Sequence, residues 1–252
     1  MTCDRYPYTA GATWLAAVLP DWAQAGGKER ILERLRDATE RARIQEELRR
    51  TYGAGDRWRR IMVVSIAGRV GEDLEGLTVA EIAELRDADP HTVLVDLLVQ
   101  TELGAKAITF SMNEENMRRI LKKPYVMIGS DAWAVRAENE SEHTHPRAYG
   151  TFPRVLGRLV RDGLLSLPEA IHKMTGMPAE RFHLVRRGLL REGWFADIVV
   201  FEPERVLDLA TYQEPHQYPV GIECVIVNGR ITVQNGMHTG ERAGRVLRGA
   251  TG

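Results

Sequence analysis

Cysteine is almost missing from this 252-residue sequence: Cys3 and Cys224 are its only two, far apart and outside any CxxC or Cys/His spacing. That argues against a disulfide framework or a cysteine-built structural zinc site, and it fits a reducing compartment. Long apolar runs are missing too, and none approaches the roughly 20 residues needed to span a bilayer. The short apolar run at Trp14–Leu19 has no basic segment ahead of it, so no signal peptide is expected. Charge of one sign is also lacking, with a formal net charge of −1. Neither nucleic acid nor an anionic membrane is therefore expected as a partner. The default expectation is a soluble, cytoplasmic protein.

What is present suffices for a sizeable core. A hydrophobic content of 44% beside 27% charged residues is ordinary for a globular chain, and the length allows one large domain or two smaller ones. Residues 27–52 carry Ile31, Leu35, Ala38 and Ala42 at spacings of three and four between charges, which predicts one long helix. RIMVVSIAG predicts a short strand closed by glycine. LTVAEIAELR holds Glu81 three residues after Thr78, a capping-box pattern that starts a second helix. DPHTVLVDLLVQTEL predicts a third, with Asp89 as cap and Pro90 in the first turn, and AKAITFSM reads as another strand.

NEENMRRILKKP has helix signals at both ends: Asn113 to cap, acids first, bases last, then Pro124 as a stop. It feeds the run YVMIGS, which ends on Asp131. Strands alternating with helices in this way predict a parallel α/β sheet or barrel. The stretch from Ala132 to Arg154, with His143 and His145, reads as a long loop. RVLGRLVRDG and LSLPEAIHKMTGMPAERF then predict helices, the second starting near Ser166 or Pro168. From about Arg187 the pattern is β-rich, with Asn-Gly between β-branched runs as a hairpin signal.

Several long motifs occur in order: DRYPYTAGATWL, MIGSD, HPRAYGTFPRVLGR, LSLPEAIHKMTGMPAERFHLVRRGLLREGWFADIVVFEPE and HQYPVGIECVIVNGRITVQNG. Together they resemble the C-terminal half of D-aminoacylases, the N-acyl-D-amino-acid deacylases of the amidohydrolase superfamily. The resemblance implies an α/β chain: the last part of a (β/α)8 metal-dependent hydrolase barrel over residues 1–186, and part of a small β-sandwich over 187–252. About residues 28–112 would be a helical insert between the last two barrel strands.

The same resemblance implies a chemistry. Asp131 matches the aspartate that takes a proton from a metal-bound water and passes it to the leaving amine, the role of a general base and then acid. Its place after a strand suits that role, because barrel catalytic groups come from the C-terminal ends of strands. Arg147 matches the arginine that binds the substrate's α-carboxylate, which a guanidinium fork fits well. Tyr6 matches a tyrosine that reaches the same carboxylate, and Ala12 falls where many members carry a serine. Zinc is the implied metal, but its ligands are not recognised in this chain. The HxH pair His143/His145 follows the last barrel strand rather than the first, and Cys3 does not match the family's zinc cysteine.

On this reading the chain starts near the seventh barrel strand, and the metal ligands would lie upstream of Met1. It would be a fragment, half of a split enzyme completed by a second polypeptide, or a degenerate relative. The alternatives in function are an amidohydrolase that opens cyclic amides and a pseudoenzyme or interaction module. The implied substrate is an N-acyl-D-amino acid.

Overall fold

The computed structural model describes residues 1–53, 55–65, 72–133 and 143–248. The chain divides into two compact units, one of Met1–Tyr8, Asn113–Val135 and Pro146–Gly252, the other of Thr9–Met112 and Arg136–His145. Strand β1 (Cys3–Arg5) opens the first unit. The second unit holds β2 (Gly11–Trp14), α1 (Asp21–Gln24), α2 (Gly27–Arg36), α3 (Ala38–Tyr52), β3 (Ile61–Ser65), α4 (Val79–Leu85), α5 (Pro90–Gln100) and β4 (Lys106–Thr109). The chain then returns to the first unit with α6 (Glu114–Leu121), β5 (Val126–Ile128), α7 (Arg147–Arg154), α8 (Leu167–Met174), α9 (Gly176–Arg181), β6 (Ile198–Phe201), β7 (Ile222–Val227), β8 (Arg230–Gln234) and β9 (Met237–His238).

In the second unit, helices cover a three-stranded sheet of order β2-β4-β3. Both β2 and β3 run antiparallel to β4, with Thr109 opposite Gly11 on one side and Ile61 on the other. The alternation of strands and helices had predicted parallel pairing; alternation permits it but does not fix the direction in which a strand returns. Leu35, Leu48, Trp58, Ile82, Leu94 and Leu98 are among the fully buried residues of this unit's core. The single helix predicted for residues 27–52 is two. Asp37 sits in extended backbone between them, and its side chain accepts hydrogen bonds from the Thr39 and Glu40 amides. An aspartate that caps a new helix ends the previous one, and periodicity cannot register this. The Thr78–Glu81 capping box forms as predicted, and Pro90 occupies the first turn of α5. The predicted end of the RIMVVSIAG strand, at residues 66–68, lies outside the described residues.

In the first unit, β1 and β5 pair in parallel, with Cys3 opposite Val126 and Arg5 opposite Ile128. Asn113 caps α6 by accepting from the Asn116 amide, and the helix delivers the chain to β5, whose three residues are all buried. Met117, Leu121, Val126, Val155 and Leu159 form the core around it. The buried Lys173 of α8 donates to the carbonyls of Lys123 and Val126, at 2.5 and 2.8 Å. Burial holds its ammonium below the usual lysine pKa range.

The predicted loop from Ala132 to Arg154 is helical in its last part. Arg147–Arg154 is α7, and it continues into a π-helical turn at Val155–Leu159. Pro146 leads into this helix and Pro153 lies inside it, which is why the sequence reads as loop. A proline within a helix removes one amide donor and crowds the preceding turn, and the wider π turn that follows accommodates the displaced register. Residues 134–142 of the predicted loop lie outside the described residues.

The antiparallel sheet has the order β6-β7-β8-β9. Two Asn-Gly pairs build its hairpins. Asn228 and Gly229 have φ of 50° and 81°, and Asn235 and Gly236 have 51° and 78°, so both turns use left-handed backbone at both central positions. Arg187 ties the first turn to the start of β6 by pairing with Asp197 and donating to Asn228 Oδ1.

Candidate functional site

Because β1 and β5 are parallel neighbours, the residues that follow them emerge at the same end of the pair. Tyr6 comes directly after β1, and Asp131 comes three residues after Ile128. The turn between them is tight. The Gly129 amide donates to the Arg5 carbonyl at 3.3 Å, and a Cβ on Gly129 would collide with the Asp4 carboxylate. Asp131 itself has φ of 48°, in the left-handed region that aspartate tolerates better than most residues.

Asp131 Oδ2 lies 2.9 Å from Nη1 of Arg147, the first residue of α7. The two differ sharply in exposure: the Arg147 side chain is 7% exposed and that of Asp131 is 65% exposed. The Arg147 guanidinium lies over the Tyr6 ring, 4.7 Å from its centroid, and the Arg5 guanidinium lies 4.4 Å from the same ring. Tyr6 thus takes two cations on its π system. The three residues singled out in the sequence, Asp131, Arg147 and Tyr6, are one contiguous cluster.

A second layer supports it. Arg5 Nη2 donates to the Tyr8 carbonyl at 2.9 Å, and the buried Tyr8 hydroxyl lies 3.5 Å from the carbonyl of Pro146, which precedes Arg147. Burial, with the Asp208 carboxylate adding to it, pushes the Tyr8 phenol well above its usual pKa range, so it stays neutral. The Arg154 guanidinium lies 4.7 Å from the Tyr8 ring centroid. Arg154 and Arg158 both pair with Asp208, at 3.0 and 2.6 Å, and the Asp208 side chain has no exposed surface. Arg5, Tyr8 and Asp208 went unnoticed in the sequence; Arg5 and Tyr8 lie inside the DRYPYTAGATWL motif, while Asp208 lies in none of the motifs.

The histidine pair is placed otherwise. His145 Nε2 lies 3.0 Å from the Ala10 carbonyl, and the His143 amide donates to Glu75 at 3.4 Å. Ala12 lies within β2. Glu138, Glu140 and Glu142, which could have paired with Arg147 in a loop, lie outside the described residues. Among the described residues, no group of three or more His, Cys, Asp or Glu side chains could hold a metal ion, and no helix is long and apolar enough to cross a membrane.

A buried guanidinium set over an aromatic ring and met by an exposed carboxylate is equipped to bind an organic carboxylate beside a second carboxyl group. The D-aminoacylase of Alcaligenes xylosoxydans xylosoxydans is 44% identical over 176 residues, which are 69% of this chain and 34% of that protein. A D-aminoacylase structure, described for the functional role of its binuclear metal center, superposes with a TM-score of 0.71 at 35% identity and covers 98% of this chain and 42% of its own. The N-acyl-D-glutamate deacylase of Bordetella bronchiseptica, solved with zinc and a phosphonate mimic of the reaction's tetrahedral intermediate, gives 0.67 at 32% identity, covering 97% and 42%. The chain therefore spans about a third of the length of the D-aminoacylase relative and under half of the solved chains. The model of the amidohydrolase family matches residues 5–233, and the chain belongs to that family.

Proposed function

We propose that this chain is the part of a zinc-dependent N-acyl-D-amino-acid deacylase that recognises the substrate carboxylate and moves the proton. In this reading β1 and β5 are the last two strands of a (β/α)8 barrel. The unit between them is the insert, and the sheet β6–β9 is part of a small β-domain. The observation that carries the reading is the Asp131–Arg147–Tyr6 cluster at one end of two adjacent parallel strands. Catalytic groups of such barrels gather at that end.

The roles are those that the resemblance to the deacylases implies, and the contacts within the cluster support them. Arg147, set over the Tyr6 ring, binds the α-carboxylate of the acyl amino acid. Asp131 accepts a proton from the water that attacks the amide carbonyl, and returns it to the nitrogen as the C–N bond breaks. The described residues do not fit a metal site, so no step is assigned through one here. Zinc enters from the likeness to the relatives, and a second polypeptide or further chain would have to bring its ligands.

The test is a chimera in which this chain replaces the matching part of the D-aminoacylase. Zinc-loaded, it is expected to release amino acid from N-acetyl-D-leucine and not from N-acetyl-L-leucine or N-acetyl-D-leucinamide. Equal turnover of the carboxamide would remove Arg147 from substrate recognition. A chimera that opens cyclic amides and leaves acyl amino acids intact would favour the other enzyme reading.

A further inference from the structure

The two residues given separate roles above are in contact with each other. Asp131 Oδ2 lies 2.9 Å from Arg147 Nη1, on a guanidinium that is otherwise nearly closed to solvent. We propose that Asp131 and the substrate carboxylate compete for Arg147, so that the arriving substrate itself detaches Asp131 from the guanidinium. This rests on the deacylase reading and adds a substrate-driven switch to it.

Three observations carry the exchange. The exposed member of the pair is Asp131 and the buried member is Arg147, so a carboxylate coming from solvent meets the Asp131 side of the contact first. A second carboxylate placed on the same guanidinium would stand within a few ångströms of the first, and like charges that close repel strongly in a partly buried site. Displacement is therefore favoured over addition. Finally, the stacking of Arg147 on Tyr6, at 4.7 Å, keeps the guanidinium in position while its anionic partner changes.

The switch couples recognition to chemistry. With no substrate, Asp131 is engaged by a cation. With the substrate carboxylate on Arg147, Asp131 is released toward the acyl end of the same molecule. A ligand without a carboxylate leaves the pair closed.

The competition predicts an inverted mutational signature. Removing the charge of Asp131 should tighten binding of the acid even though Asp131 serves the reaction. Asp131→Asn suits the test, because asparagine tolerates a φ of 48° as well as aspartate does. N-Acetyl-D-leucine and N-acetyl-D-leucinamide would be titrated calorimetrically onto the full chain, onto Asp131→Asn and onto Arg147→Lys. The acid is expected to bind Asp131→Asn about tenfold tighter than the wild type. The carboxamide should not distinguish the two, and Arg147→Lys should lose most of the acid binding.

Since Arg147 is buried and its replacement can disturb folding, the Asp131 carboxyl carbon would also be followed by NMR in the unmodified chain. It should shift as the acid binds and stay in place with the carboxamide. Acid binding that depends on Arg147 but is equal or weaker in Asp131→Asn, with an unmoved carboxyl signal, would overturn the exchange and leave carboxylate recognition standing. No Arg147-dependent binding of the acid in any variant would overturn both.

Discussion

Asp208 has no exposed side-chain surface, yet it carries two arginines, Arg154 at 3.0 Å and Arg158 at 2.6 Å. Arg154 ends α7 and Arg158 lies in the π turn that continues it, so one carboxylate anchors the C-terminal end of the helix presenting the candidate substrate-binding arginine. Removing Asp208 takes away two charge-assisted hydrogen bonds, while the two arginines left behind are partly exposed and keep some solvation. Asp208→Ala is expected to cost about 2 kcal/mol of stability by chemical unfolding, and a value near zero would show that the helix needs no such anchor. His91 in the second unit is a different case. It is 2% exposed, its ring meets Trp58 edge-on at 5.6 Å between centroids, and neither ring nitrogen has a hydrogen-bond partner among the described residues. Burial first, then Arg49, lower its pKa, while Asp89, the nearby Gly53 backbone and Glu46 oppose the shift in part. The folded protein thus binds the proton more weakly than the unfolded chain does. Stability should be flat above about pH 6.5 and fall as the pH drops below it, because the unfolded state takes up the proton first. His91→Phe should flatten that fall. Unfolding of the two proteins between pH 8 and pH 5, followed by tryptophan fluorescence, measures it, and parallel profiles would count against the buried neutral histidine.

At the scale of elements, the sequence is most legible where one residue dictates the backbone. The Asn-Gly hairpin at Asn228–Gly229 and the Thr78–Glu81 capping box form as read, because left-handed turns and helix starts have strong local chemistry. Two readings miss because a local signal has two meanings. Asp37 looks like a surface acid inside a periodic helix, and it is the cap that divides it. Pro146 and Pro153 look like loop punctuation, and they bracket a helix that widens into a π turn. The turn also packs closely: a Cβ on Gly157 would collide with the backbone carbonyl of Val206, which cannot move aside as a side chain would. Gly157→Ala is accordingly expected to cost about 2 kcal/mol or more, read as a lowered unfolding midpoint. An unchanged midpoint would mean that the segment around Val206 shifts freely.

At the scale of the whole molecule, composition and periodicity convey an α/β chain without a disulfide framework and say nothing of chemistry. The candidacy of Asp131, Arg147 and Tyr6 comes from ordered motifs shared with a family. No spacing rule links residues 6, 131 and 147; parallel pairing of β1 with β5 is what brings them together. Tyr8 and Asp208 illustrate the remainder. Their partners lie 138 residues away at Pro146, and 54 and 50 residues away at Arg154 and Arg158, so only tertiary structure connects them. The chain spans 34% of its D-aminoacylase relative, and the chemistry proposed for it is the share that these residues can perform. The measurement that bears most directly on this is single-turnover hydrolysis of N-acetyl-D-leucine by the zinc-loaded chimera, with and without Asp131→Asn, alongside its metal content. Loss of turnover by at least about a hundredfold with zinc content unchanged is the expected result, the size typical of removing a general acid–base group. Turnover that survives the substitution would contradict the assignment of Asp131 as the proton-transfer residue.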